Sequence, residues 1–398
     1  MTAAAPPDKS PRIASIDLLR GLIMVIMALD HVRDYFHAEA FKYDPMDLQK
    51  TSVVLFFTRW ITHYCAPTFM FLAGVSAFLV SRKKTRMELS GFLFKRGLWL
   101  VILEFTIIRF AWKFNPDVQD LLLIVIWALG ISMIALAALI WLPRKLILVF
   151  GLILVFGHNM LDNIHVAGEG AAAFLWAIVH EQHLFFVKGF PIMVVYPIVP
   201  WIGVMTLGYV FGGLYDSSFL PERRKKILTR LGLGAILLFV LLRWSNLYGD
   251  PNPWSAQPSA VFSVLSFLKV TKYPPSLLYL LMTLGPSILF LAVSENARGW
   301  PSRVLSVYGR VPMFYYILHI YWLHLLAFLA APLCGHKSLD MIIGRGWLTT
   351  QPQLQGFGFS LGIVYLVWLF VVISLYPLCK AYDRYKKEHK DKRWLSYL

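Results

Sequence analysis

The sequence predicts an all-α polytopic integral membrane protein with about ten transmembrane helices and both termini in the cytoplasm. Hydrophobic residues make up 58% of the 398 residues and charged residues only 15%. The mean hydropathy is +0.61, which is outside the usual range of soluble proteins. The net charge of +16 comes from short basic clusters between apolar runs. Membrane topology explains these clusters, so nucleic acid is excluded as a partner.

The first apolar stretch, residues 15–37, is long enough to span a bilayer, yet it carries several ionisable side chains. In a helix, Arg20 and His31 lie on nearly the same face and about 16 Å apart along the axis. Because a hydrocarbon core is about 30 Å thick, one residue lies near one surface and the other much deeper. Such a charged face must contact protein or water, and in a membrane helix it indicates a functional site.

Nine further apolar spans and the charge pattern give the topology. The spans are predicted at residues 64–80, 91–112, 120–142, 146–161, 192–215, 228–247, 275–294, 304–332 and 356–379. Basic clusters fall in the loops on the side of the N-terminus, and the positive-inside rule places that side in the cytoplasm of a cell (inner) membrane. We expect one membrane domain, residues 15–384, between basic tails at 1–14 and 385–398. Membrane lipids are therefore expected partners. The apolar faces of the helices fit contact with lipid and association into a homo-oligomer equally well.

The cysteines and known motifs indicate neither a disulfide nor a metal site. Cys65, Cys334 and Cys379 are widely spaced and form no pair typical of redox or metal chemistry. His319 and His324 are five residues apart, about 140° around a helix, and so do not share a metal-binding face. No Gly-rich phosphate loop or nucleophile elbow is present. No metal is expected.

His31 is the leading candidate for acid–base chemistry, because a neutral imidazole can accept a proton from a hydroxyl or amine. Asp34, three residues later, is expected to orient it. Asp30 points about 100° away and serves another partner. His63, just before or within the second span, is a second candidate and is expected to meet His31 across the pair of helices. The alternative is that these groups only hydrogen-bond helix one to its neighbours.

Several basic residues are candidates for anion binding. Arg20 suits a phosphate, since a guanidinium binds phosphate bidentately and stays charged, and Asp17 is its expected internal partner. Lys95 and Arg96 begin the third span and either bind phosphate or only stop transfer through the membrane. Arg109 and Glu104 are expected to pair with each other as a structural feature.

Several segments resemble the bacterial branch of the heparan-α-glucosaminide N-acetyltransferase family, within a transmembrane acyltransferase superfamily. The likeness covers nearly the whole chain, and the pattern of Asp17, Arg20 and His31 is similar to one in membrane acyltransferases that O-acetylate envelope polysaccharides. The segments are RIASIDLLRGLIMVIMALDH, APTFMFLAGVSAFL, YPIVPWIGVMTLGYVFGG, TKYPPSLLYLLMTLGP and YGRVPMFYYILHIY.

The resemblance implies that an acetyl group passes from cytoplasmic acetyl-CoA, through the membrane, to an amino or hydroxyl group of an envelope sugar or glycan. It gives His31 the catalytic role and Arg20 the coenzyme-side role. His319 matches a family histidine and is carried over as a residue of the substrate cavity. Lys272, in a loop with paired prolines, is a further substrate-binding candidate, as is Asp30. Oxyanion donors are taken from Tyr315, Tyr316 or a backbone amide.

The sequence departs from the family in the position of the catalytic histidine. The lysosomal enzyme has its catalytic histidine in the loop after the first helix, and the matching residues 51–54 contain none. The catalytic role then falls to His31, His37 or His63.

The rival function is a proton-coupled transporter of small molecules that uses Asp17, Arg20 and His31 as a relay, although no internal repeat typical of transporters is evident.

Overall fold

A computed structural model describes residues 14–396. The chain is mostly helical, with about 70% of residues in helices and 4% in strands. The predicted all-α class is therefore correct in its main feature. The predicted tail at 1–14 lies outside the described residues except for Ala14, with which the first helix begins.

Fifteen α-helices lie within residues 14–396. They are α1 (Ala14–Phe36), α2 (Val53–Trp60), α3 (Cys65–Ser81), α4 (Arg86–Leu103), α5 (Arg109–Lys113), α6 (Val125–Leu139), α7 (Arg144–Gly157), α8 (Ala171–Val179), α9 (Val199–Phe211), α10 (Pro221–Ser245), α11 (Ala260–Leu268), α12 (Leu277–Val293), α13 (Trp300–Arg310), α14 (Pro312–Ala330) and α15 (Leu361–Glu388). A π-helical turn, Glu104–Ile108, joins α4 to α5.

A small sheet of three strands lies in the loops that connect the helices. The strands are β1 (Leu121–Leu123), β2 (His183–Val187) and β3 (Phe190–Val194). β3 is central, pairing parallel with β1 and antiparallel with β2. This sheet ties the loop before α6 to the segment before α9, and neither strand pairing was predicted.

Five helical segments of the described chain are long and apolar enough to cross a membrane, and the ten-span topology stays a prediction. The five segments are Val53–Ser81, Arg144–Leu161, Pro221–Ser245, Pro312–Cys334 and Leu361–Glu388. Three shorter apolar helices are Val125–Leu139, Val199–Tyr215 and Leu277–Val293. The predicted single span at 304–332 is two helices, α13 and α14, which Val311 separates just before Pro312. A proline lacks the N–H that a continuous helix would need there.

Helix α1 packs most closely against α13, and two glycines make this possible. A Cβ atom at Gly21 would lie 1.8 Å from the Leu305 carbonyl oxygen, and one at Gly309 would lie 1.8 Å from the Asp17 carbonyl oxygen. Only glycine allows the two backbones to approach this closely. On another side, Trp368 of α15 donates from Nε1 to the Val25 carbonyl over 2.8 Å. α1 is thereby surrounded by protein, as its charged face requires.

Candidate functional site

A cavity of about 440 Å³ runs beside α1 and is also lined by α3, α4, α6 and α14. The α1 residues that line it recur every three or four positions, as one face of a helix requires. They are Arg20, Met24, Met27, Asp30 and His31. Arg20 and His31 therefore do share one face, and the cavity extends about 16 Å along α1 between them. We call its two ends the Arg20 end and the His31 end.

The guanidinium of Arg20 is held at three points. Nη1 donates to the Gly309 carbonyl over 3.0 Å and lies 3.3 Å from Asp17 Oδ1. Nη2 donates to Ser76 Oγ over 2.8 Å. The predicted pairing with Asp17 is confirmed. The Arg20 side chain is 16% exposed, so its positive charge faces the cavity from a fixed position on the wall.

Three more cations line the Arg20 end of the cavity: Arg96, Arg310 and Lys386. Arg310 is bidentate to Asp383, with Nε 2.9 Å from Oδ1 and Nη2 2.7 Å from Oδ2. Lys387 Nζ is also 2.6 Å from Asp383 Oδ2. Several positive charges with few carboxylates among them make this end suitable for a polyanion.

Two predictions about this end need correction. Lys95 is exposed and does not line the cavity, whereas its neighbour Arg96 does. Adjacent residues of a helix point about 100° apart, so only one of the two can face a given cavity. α15 continues to Glu388, so residues 385–388 belong to a helix and Lys386 reaches the cavity. Sequence reasoning missed Lys386 because it was assigned to the tail.

At the other end, His31 pairs with His319. Nδ1 of His31 lies 2.7 Å from Nε2 of His319, and the two rings are nearly parallel, at 12° with centroids 5.0 Å apart. His319 is fully buried on α14 and does not line the cavity, so the expectation that it is a residue of the substrate cavity is wrong. Its Nδ1 lies 3.0 Å from the Tyr315 carbonyl oxygen. The Trp112 ring meets the edge of His31 at a centroid distance of 4.8 Å.

The prediction that Asp34 orients His31 is wrong. Asp34 Oδ1 accepts from Arg33 Nη2 over 2.5 Å, and His31 hydrogen-bonds to His319. A guanidinium next to Asp34 competes for the carboxylate more strongly than a neutral imidazole can.

Asp30 lines the cavity and is neutralised by two arginines. Nη1 of Arg59, at the end of α2, lies 2.6 Å from each oxygen of the Asp30 carboxylate. Arg33 Nη2 lies 3.0 Å from Oδ1. Since the Asp30 side chain is only 14% exposed, this ion pair fixes α2 against the His31 end of α1. The sequence indicated another partner for Asp30 but did not identify Arg59.

The predicted encounter of His63 with His31 is also wrong. His63 is 2% exposed, packs against the Tyr279 ring at 5.4 Å and accepts the Tyr279 hydroxyl at its own carbonyl. It therefore faces α12, because the Arg59–Asp30 pair fixes the preceding turn. His37 follows the end of α1 and forms a β-bridge with Phe359. Neither histidine lines the cavity.

Lys272 and Tyr196 complete the His31 end of the cavity. The loop that carries Lys272 is rigid, since the Asp250 carboxylate accepts hydrogen bonds from the Thr271 amide, the Thr271 hydroxyl and the Ser276 hydroxyl. The Lys272 ammonium lies 5.1 Å from the centre of the Tyr273 ring. Lys272 thus adds a positive charge to the His31 end, where Arg59 and Arg33 already neutralise the Asp30 carboxylate.

The two tyrosines predicted as oxyanion donors differ in position. Tyr316 lines the cavity, and its ring centre is 6.1 Å from that of His31. Tyr315 does not line it; instead its ring stacks on His319, at 5.2 Å and 9°. Tyr316 is therefore the candidate donor, and the prediction for Tyr315 is wrong because successive residues on α14 face different sides.

The expected pairing of Glu104 with Arg109 is not observed. Glu104 Oε2 accepts from the backbone amides of Ile126 and Trp127 over 3.0 and 3.1 Å, at the start of α6. Arg109 donates to the carbonyls of Asn115 and Asp117. Free amides at a helix start attract a carboxylate, which explains the choice of partner. Glu104 thereby fixes the first turn of α6, and Ile126 lines the cavity.

The arrangement combines a polycationic end with a histidine pair about 16 Å away. It can hold an extended molecule by a phosphate-rich end and present a reactive group beside His31. Among the residues described, 14–396, no group of three or more His, Cys, Asp or Glu side chains is placed to hold a metal ion.

Comparison with known protein families gives a match over the first part of the chain. Residues 12–246 match the family model described as heparan-alpha-glucosaminide N-acetyltransferase, catalytic. The match covers more than half of the chain and includes Arg20, His31 and Arg96, whereas Arg310 and His319 lie beyond it. A search of curated proteins finds no match.

Proposed function

Because the chain belongs to the heparan-alpha-glucosaminide N-acetyltransferase family, we propose that it transfers an acetyl group from acetyl-CoA to an amino or hydroxyl group of an envelope sugar. The acetyltransferase class comes from the family. The donor, the acceptor and their arrangement in the membrane are the proposal. The observation that carries it is the single cavity that joins Arg20 to His31.

We propose that acetyl-CoA enters the Arg20 end from the cytoplasm. Arg20, Arg96, Arg310 and Lys386 line that end, and the phosphates of coenzyme A suit a cluster of this kind. Asp17 supports the donor end through Arg20. The pantetheine arm is extended and apolar enough to pass Met24 and Met27, and it places the thioester near His31.

At the His31 end, we propose a direct transfer with His31 as general base. The acceptor nitrogen or oxygen attacks the thioester carbonyl and gives up its proton to His31. The carbon–sulfur bond breaks, and the thiolate takes the proton back from His31 as free coenzyme A forms. We propose that Tyr316, which lines the cavity with its ring centre 6.1 Å from that of His31, donates to the carbonyl oxygen as negative charge develops.

The acceptor is proposed to enter from the opposite side of the membrane, near Lys272, Tyr196 and Asp30. These residues are candidates for acceptor contacts because they share the cavity wall with His31. This arrangement keeps the proposed topology, with both termini in the cytoplasm of a cell (inner) membrane and about ten spans.

Transfer across a sealed bilayer tests this function. Purified protein is reconstituted into liposomes that contain glucosamine, and [¹⁴C]acetyl-CoA is added outside. We expect label to accumulate inside as N-acetylglucosamine, together with one free coenzyme A outside for each acetyl group transferred. Glucosamine leaving the liposomes without acetyl-CoA would instead support the rival transporter.

A further inference from the structure

The hydrogen bonds of the two histidines determine where their protons are. A backbone carbonyl only accepts hydrogen bonds, and the Tyr315 carbonyl oxygen lies 3.0 Å from His319 Nδ1. His319 Nδ1 must therefore carry a hydrogen. A neutral imidazole carries only one, so the other nitrogen, Nε2, has a free lone pair.

The lone pair on His319 Nε2 determines the tautomer of His31. His31 Nδ1 lies 2.7 Å from it, and a contact that short between two nitrogens requires one hydrogen between them. Since His319 Nε2 has none, His31 Nδ1 supplies it. The second nitrogen of His31, Nε2, is then unprotonated.

The other proton arrangements conflict with the surroundings. If His319 Nε2 carried the hydrogen, its Nδ1 lone pair would face the lone pairs of the Tyr315 carbonyl. If His319 were doubly protonated, a positive charge would lie on a side chain with 0% exposure. No carboxylate within residues 14–396 forms an ion pair with His319, so that charge would be buried without compensation.

We infer that His319 is a positioning residue that holds His31 as the Nδ1–H tautomer, with Nε2 unprotonated and available as the base. His319 is itself fixed by stacking on Tyr315 at 5.2 Å, and His31 is fixed by the edge contact with Trp112 at 4.8 Å. When His31 Nε2 gains the proton of the acceptor, its Nδ1–H still donates to His319. The charged imidazolium is therefore stabilised by a hydrogen bond that already exists.

The tautomer can be measured without activity. Protein labelled with ¹⁵N-histidine is reconstituted in lipid bilayers, and solid-state NMR identifies each ring nitrogen as protonated or not, with His31→Gln used to assign the signals. We expect a protonated Nδ1 and an unprotonated Nε2 on His31. The opposite tautomer in the wild-type protein would overturn the inference, whatever the activity of the protein.

A kinetic series tests the consequence, which rests on the proposed function. In His319→Gln the side-chain oxygen can still accept from His31 Nδ1, whereas His319→Leu removes the acceptor. We expect His319→Leu to lower kcat about 10²-fold or more, in the range of general-base losses, with KM for acetyl-CoA unchanged. His319→Gln is expected to recover most of the loss.

The outcomes separate the inference from the function. Wild-type kcat in His319→Leu, with His31→Ala inactive, would overturn the positioning role alone. Full activity in His31→Ala would instead overturn the role of His31 as the base, and the absence of any acetyl transfer by folded wild-type protein would overturn the proposed function. The NMR result would still decide the tautomer in either case. If His319→Leu does not fold, the NMR measurement on the wild-type protein decides by itself.

Discussion

The Arg20 guanidinium donates to the Gly309 carbonyl over 3.0 Å, at the point where α1 and α13 are in backbone contact. A single close approach thus sets both the packing of two helices and the position of the cation proposed to bind phosphate. Stability and donor binding are expected to change together when this contact is disturbed.

Gly309→Ala tests the contact. The new Cβ would lie 1.8 Å from the Asp17 carbonyl, so α13 must move away from α1. We expect a loss of about 1–3 kcal/mol in the free energy of unfolding, as for other overpacked sites, visible as a lower melting temperature in detergent. Gly234→Ala is the matched control, because a Cβ there has no neighbour within 4 Å. Equal melting temperatures for the two variants would contradict the packing account.

Arg20→Ala is expected to weaken acetyl-CoA binding 10- to 100-fold, since a lost hydrogen bond to a charged group costs about 1.5–3 kcal/mol. Equilibrium binding of radiolabelled acetyl-CoA measures the change. Lys83→Ala, an exposed cation just after α3, is the control and should bind normally. If Arg20→Ala also bound normally while keeping the wild-type melting temperature, the phosphate role of Arg20 would be wrong.

The ion pair between Asp30 and Arg59 is expected to stabilise the His31 end of the cavity. Asp30→Asn leaves the Arg59 guanidinium without its carboxylate, which costs about 3–5 kcal/mol, whereas Arg59→Met leaves Asp30 paired with Arg33 and should cost less. Asp30→Asn and Arg59→Met should therefore each lower the melting temperature, and the double variant should lose less than the sum of both. Strictly additive losses in this double-mutant cycle would show that the two side chains do not interact.

Glu104 is expected to act as the cap of α6. Glu104→Ala removes the acceptor for the amides of Ile126 and Trp127 and should cost about 0.5–2 kcal/mol. Glu104→Gln keeps an oxygen that can accept and should lose less. Thermal unfolding of both variants measures this order, and equal losses in the two variants would mean that the negative charge, rather than the hydrogen bonds, is what matters.

The α1 face could be predicted from the sequence because it depends only on helical periodicity. Arg20 and His31 are eleven residues apart, and any straight helix places them on one side. The cavity beside this face agrees with that reasoning. The wrong orienting partner for His31 has a different cause. Asp34 is close in sequence, whereas the actual partner, His319, is 288 positions away, and spacing carries no information about such contacts.

Competition between partners explains the other errors. Asp34 was expected to bind His31, and Glu104 was expected to bind Arg109. Instead, the guanidinium of Arg33 binds Asp34, and the free backbone amides at the start of α6 bind Glu104. Lys386 was missed because α15 continues beyond its apolar part. The close packing at Gly21 and Gly309 depends on how two distant helices cross, and a single sequence does not specify that crossing.

The separation of donor binding from chemistry is the central claim, and one measurement tests it most directly. Binding of radiolabelled acetyl-CoA, and its turnover in the presence of glucosamine, are compared for the detergent-purified wild-type protein, His31→Ala and Arg20→Ala. We predict that His31→Ala binds acetyl-CoA as tightly as the wild type but releases no coenzyme A, whereas Arg20→Ala binds weakly. A folded wild-type protein that does not bind acetyl-CoA, or a His31→Ala variant with normal turnover, would contradict the account.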